Sequence, residues 1–134
     1  MRYARLGLTF CAGLKQEAAI VAQILESHEV EVVSAICKVG SIPKEGIGLQ
    51  EEEKIRIGEY EAMCNPLLEA NILNDAKINF NIVLRLCVGH DSLFFKYAEA
   101  STTILAAKDK VSGHNPLAAI YTAKSYYTRL NKKV

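Results

Sequence analysis

No stretch of this 134-residue chain approaches the roughly 18 consecutive apolar residues of a membrane span, so no transmembrane helix is expected. Nor does one sign of charge dominate. Sixteen Lys and Arg stand against 15 Asp and Glu, for a net charge of +1, and no basic cluster occurs beyond the terminal Lys132-Lys133. That balance offers no electrostatic footing for nucleic acid. Internal repeats and low-complexity segments are absent. Cysteine is scarce too: it occurs at 11, 37, 64 and 87, with no Cys-x-x-Cys pair. A secreted disulfide scaffold would be shorter and richer in cysteine. The opening Met-Arg-Tyr-Ala-Arg mimics a signal peptide only faintly, because the apolar run at 6–11 is too short and Lys15, Gln16 and Glu17 follow at once. The reading is a cytoplasmic protein whose first apolar run is a buried strand, with disulfides disfavoured.

What is present suffices for a sizeable core. Half the residues are hydrophobic, and a chain of this length buries about 70% of its unfolded surface. One α/β domain over 1–134 is expected. Residues 6–10 read as a first strand. Residues 16–27 have helical spacing, with Ala19, Ile20, Val21, Ile24 and Leu25 as the apolar stripe. Residues 30–37, rich in Val and Ile, are a second strand. From 41 to about 60, Ser41, Pro43, Gly46, Gly48 and Gly58 break every period around the charge run Gln50-Glu51-Glu52-Glu53-Lys54. This is a long surface loop with room for one helical turn; such loops are often functional, and a plain insertion is the equal alternative.

Asn65-Pro66 marks a helix start, a cap followed by a proline whose missing N–H costs nothing in a first turn. The helix runs to 76, with Leu67, Leu68, Ile72 and Leu73 inward. Residues 79–87 form a third strand, Asp91 or Ser92 caps a helix at 93–99, and 101–107 form a fourth strand. Asn115-Pro116 repeats the cap-and-proline pair before a last helix at 117–130, whose basic end suits the helix dipole. Strands alternating with helices mean parallel strands with helices on both faces. Right-handed crossovers then favour sheet order 2-1-3-4: a three-layer, four-stranded, mainly parallel α/β fold of Rossmann or flavodoxin type.

The cysteines point to function by their positions. Cys11, Cys37 and Cys87 end the first three strands, and Cys64 precedes the helix that leads into the third. In a parallel sheet all these points lie on the carboxyl edge, where open α/β sheets bind ligands. Four thiols there suit a soft metal, either tetrahedral zinc or an iron–sulfur cluster. Thiolates drawn from separate strand ends resemble a cluster cradle more than a compact zinc knuckle, so the cluster is preferred. Any one cysteine at a strand end is more often a small core residue, but four on one edge and none elsewhere reverse those odds. His90, His114 and Asp91 lie at helix starts on the same edge and are candidates for acid–base work, or for loop and capping roles. Asn65 and Asn115 are most simply caps, although the exposed helix N-termini there could hold a small anion. His28 lies at the opposite edge as plain surface, and Tyr121, Tyr126 and Tyr127 read as packing residues.

Several motifs resemble a known family. They are Phe10-Cys11-Ala12-Gly13-Leu14, Cys37-Lys38-Val39-Gly40, Ala62-Met63-Cys64-Asn65-Pro66, Leu86-Cys87-Val88-Gly89-His90-Asp91-Ser92-Leu93-Phe94 and Gly113-His114-Asn115-Pro116-Leu117-Ala118-Ala119. Together they are similar to an uncharacterised prokaryotic family of metal-binding proteins, domain of unknown function 1847, over nearly the whole chain. The resemblance implies metal binding without an established reaction, with Cys11, Cys37, Cys64 and Cys87 matching the family's cysteine motifs and His90 and His114 its histidine motifs. It also implies a cysteine-rich stretch before the first strand, which this chain starts too late to contain, and a small residue where Arg85 stands.

The expectation is therefore a metal or iron–sulfur protein. One rival is a thiol enzyme, with Cys64 as nucleophile and His90 or His114 as base. Another is a regulatory module holding a small anion at the helix N-termini of Asn65, Asp91 and Asn115. A homodimer that covers an edge strand is compatible with any of these.

Overall fold

The computed structural model describes residues 3–128. Strands β1 (Arg5–Phe10), β2 (Glu31–Ile36), β3 (Phe80–Leu84) and β4 (Ser101–Ala106) form one sheet in the order β2-β1-β3-β4, with every neighbouring pair parallel. The order and the α/β class agree with the sequence reading. Phe10 pairs with Ile36 on one side and Leu84 on the other, so the three inner strand ends are level. The ladder continues one step further: the Cys11 amide donates to Leu84 O and the Cys37 amide to Phe10 O.

Alternate residues of a strand face opposite layers. Leu8, Phe10 and Leu84 pack under α1 (Lys15–Glu26), against Leu14 and Ala18. On the other face Ala35, Cys37 and Val83 pack against Ala70 and Leu73 of α2 (Pro66–Asp75) and Phe94 of α3 (His90–Tyr97). The expected α1 stripe is displaced. A short 3-10 turn at Ala12–Leu14 sets the rotation of the helix, so that Ala18, Val21 and Ala22 face the sheet while Ile20 and Ile24 are 57% and 55% exposed. In α2 the inward residues are Pro66, Glu69, Ala70 and Leu73, and Leu67 is exposed. Asn65 does cap this helix: its Oδ1 accepts from the Leu68 amide at 3.0 Å.

The third strand is shorter than expected. It stops at Leu84 because Arg85 takes a left-handed backbone, φ 60°, that turns the chain out of the sheet. Helix α3 begins at His90 after Gly89 (φ 90°), and the Asp91 carboxylate accepts from the Gly89 and Ser92 amides. The last helix, α4 (Pro116–Tyr121), ends well before 130 and continues only as turns. The Thr122 hydroxyl back-bonds to Ala118 O at 2.7 Å, a contact that bends helices. Asn115 makes no side-chain cap, and Tyr121 and Tyr126 face solvent instead of packing. The basic end, Lys132-Lys133, lies outside the described residues. Among those described, no helix is long and apolar enough to cross a membrane.

The loop after β2 is built rather than slack. It contains two 3-10 turns, Lys44–Ile47 and Glu51–Glu53, and closes on itself through an antiparallel bridge between Pro43 and Ala62. Lys54, buried at its centre, is paired with Glu51 at 2.7 Å and with Glu45. Lys44 meets Glu61 at 2.7 Å, and the other Glu61 oxygen accepts from the amides of Ile55 and Arg56.

Candidate metal centre

A cavity of about 810 Å³ opens at the carboxyl edge, and all four cysteines line it. None of them is in a disulfide. Cys11 and Cys37 stand one residue beyond β1 and β2. Cys64 is pinned beside Cys37 because the next amide, of Asn65, donates to Cys37 O at 2.7 Å. Cys87 lies in the turn after β3, and the His90 amide donates back to Cys87 O at 2.8 Å, which folds the first turn of α3 over the thiol. As a result the ligand atoms of Cys64, Cys87 and His90 all lie within 4.8 Å of one another, and the three side chains could hold a metal ion.

The electrostatics divide the thiols. Cys37 is the most buried, and its sulfur accepts from the Ala12 amide at 3.2 Å. Burial pushes its thiol up to about 12, with smaller contributions from the neighbouring sulfurs. Burial also raises the Cys64 thiol. Cys87 instead meets a cation: Lys108 Nζ lies 2.6 Å from its sulfur and 3.8 Å from that of Cys11. That contact with Cys87 is the main cause holding the Lys108 ammonium above the usual lysine range. His90 Nδ1 is buried with no hydrogen-bond partner among the described residues.

The other residues singled out from the sequence do not join this group. Asn65 and Asp91 spend their side chains on helix starts. His114 lies outside the cavity lining in a turn of its own, where its Nδ1 accepts from the Asp109 amide at 3.2 Å, and Asn115 is exposed beside it. Arg85, Lys108 and the loop residues Lys44, Arg56 and Tyr60 also line the cavity; the sequence marked the loop and Arg85 as notable but named none of these five as a site residue. For Lys108 the signal was available: it is the first basic residue past the fourth strand, on the edge where the thiols gather.

The profile of the family described as "Protein of unknown function (DUF1847)" matches residues 1–105. The chain belongs to this family. The DUF1847 match takes in β1 to β4, all four cysteines and His90, while His114 lies beyond it. A relative, "Uncharacterized protein MJ0455" of Methanocaldococcus jannaschii, is 47% identical over 129 residues, 96% of this chain and 64% of the relative. The chain thus spans less than two thirds of the length of that curated relative. No solved structure matches it.

Proposed function

We propose that this DUF1847 chain is a metal-binding protein that holds one soft transition-metal ion, zinc in the first instance, on Cys64, Cys87 and His90, with Cys37 as the fourth ligand. One observation carries the reading: two sulfurs and an imidazole converge within 4.8 Å, and the imidazole has a buried nitrogen without a partner. Ligands about 2.0–2.3 Å from a tetrahedral ion lie roughly 3.3–3.8 Å apart, so small side-chain adjustments close this group around a single ion. Cys37, on the lining of the same cavity, is the candidate for the fourth position, although its sulfur lies outside the group of three. A bound ion of this kind supplies either a structural clasp or a Lewis acid facing the cavity.

An iron–sulfur cluster is the second reading. It is favoured by the placing of all four thiols on one cavity, with Cys11 as the remaining ligand. A thiol enzyme built on Cys64 has less support, because His114, one of its two candidate bases, lies outside the cavity lining.

The test is metal and acid-labile sulfide analysis with a visible spectrum, on protein purified without oxygen. One equivalent of zinc, lost in Cys64→Ser and Cys87→Ser, supports the first reading. Iron with sulfide moves the assignment to a cluster. Protein that carries no metal and takes up neither zinc nor iron overturns both.

A further inference from the structure

The cavity wall carries more positive charge than a thiol site alone requires. Lys38, Lys44, Arg56, Arg85, Lys108 and Lys110 line it, against the single carboxylate of Glu61. Two of these cations are matched by acids, Lys44 by Glu61 at 2.7 Å and Arg56 by Glu59 at 3.3 Å. Arg85 is not. The residue is 5% exposed, and among the described residues its Nε has no hydrogen-bond partner and no carboxylate pairs with it. It is also close enough to Lys108 for the two cations to repel.

A guanidinium whose Nε is buried without a partner is costly to leave uncompensated. Its backbone is costly as well: Arg85 holds φ 60°, a region in which side chains other than those of Gly, Asn and Asp are strained. The guanidinium borders open space rather than packed core. Arg85 lines the cavity, and a methyl group at Gly13, also in that lining, would sit 3.8 Å from Arg85 Nη1 and 4.0 Å from the Cys11 sulfur. The planar fork of arginine matches two oxygens of a carboxylate or phosphate, and a neighbouring ammonium adds a point charge. The volume is in the range of small-molecule sites.

We propose that the cavity binds a small organic anion, a carboxylate or a phosphate ester, with its oxygens on the Arg85 guanidinium and the Lys108 ammonium beside the metal centre. The role of this anion as substrate or effector of the centre rests on the metal reading; its binding does not.

The test is calorimetric titration of the full chain, as purified and after chelation, with inorganic phosphate and with succinate as separate probes. Metal content is measured on the same samples. The expected result is saturable binding of one equivalent of either probe, weakened about tenfold or more in Arg85→Gly and partly retained in Arg85→Lys. The relative strength of the two probes assigns the anion class. Glycine accepts the left-handed backbone at 85, so Arg85→Gly is expected to fold, and its circular dichroism and melting confirm this. A second variant, Lys108→Gln, should weaken binding in the same direction. No saturable binding of either probe, or binding that Arg85→Gly leaves unchanged, overturns the proposal and leaves the cations as counter-charges to the thiolates. Anion binding that persists in protein that never takes up metal sinks the metal reading alone. Metal without anion binding sinks this inference alone.

Discussion

Lys108 donates to the sulfur of Cys87 across 2.6 Å and stands 3.8 Å from that of Cys11, so a residue just past the edge strand β4 reaches over the end of β3 toward that of β1. An N–H donor on a ligating sulfur stabilises the thiolate without entering the coordination sphere. Outer partners of this kind are worth about 10- to 100-fold in metal affinity. Lys108→Met should therefore weaken metal retention by at least about tenfold in a competition assay with a chromogenic chelator, while Lys108→Arg keeps most of it. Equal retention in Lys108→Met would show that the ammonium does not serve the sulfur.

Glu69 makes stability depend on pH in an unusual direction. Its carboxyl is fully buried in α2, accepts from the Thr9 hydroxyl through Oε1 and leaves Oε2 without a partner. Burial pushes it up to about 7, against a smaller opposing effect of the Thr9 bond. The folded chain then binds more protons than the unfolded one between the two values. Stability from this group is complete below the ordinary glutamate range and is lost as pH rises through about 7. The loss is of the order of 2–3 kcal/mol. Urea unfolding between about pH 5 and 8 should show this decline, and Glu69→Gln should flatten it. The acids held below their usual range, Glu61 by Lys44 above all, act in the opposite sense and only at lower pH.

Gly7 is a close approach between β1 and β3. A Cβ there would meet Asn81 Oδ1 at 2.2 Å and Leu73 Cδ1 at 2.9 Å. Gly7→Ala should destabilise by about 1–3 kcal/mol, the cost of overpacking. Adding Asn81→Ala should recover part of that loss, a coupling that a double-mutant cycle measures directly.

Arg85→Gly should raise the unfolding free energy of the metal-free protein by about 1 kcal/mol, because it removes both a strained backbone and an unpaired buried charge. Thermal and urea melts of the two proteins check it. A clear loss of stability would mean that the stem of Arg85 packs for more than its head costs.

Sequence reasoning reached the sheet order and the gathering of thiols, because both follow from where β-branched runs end relative to Cys11, Cys37 and Cys87. It reached Asn65 as a cap for the same local reason. It failed where the outcome depends on rotation or on a single torsion. Nothing in the spacing of Ile20 and Ile24 reveals that a 3-10 turn before α1 rolls them outward. Nothing in the run through Arg85 reveals that this residue leaves the sheet by a left-handed turn, which shortens β3 and drops the guanidinium into the cavity. His114 misled because its place after a strand was legible, whereas the self-contained turn built on Asp109 was not.

Level strand ends make the site a property of the assembled sheet rather than of any one segment. Cys37, Cys64 and Cys87 lie in separate segments, and β1 must be paired on both sides before their sulfurs meet. The unfolded chain offers only Cys87 and His90 as near neighbours, a poor chelate by itself. On the proposed metal reading, an ion would prefer the assembled sheet to the nascent polypeptide. Once seated, it would rivet the chain segments after β2 and β3 and before α2, and that corner of the molecule would open only after the ion had departed.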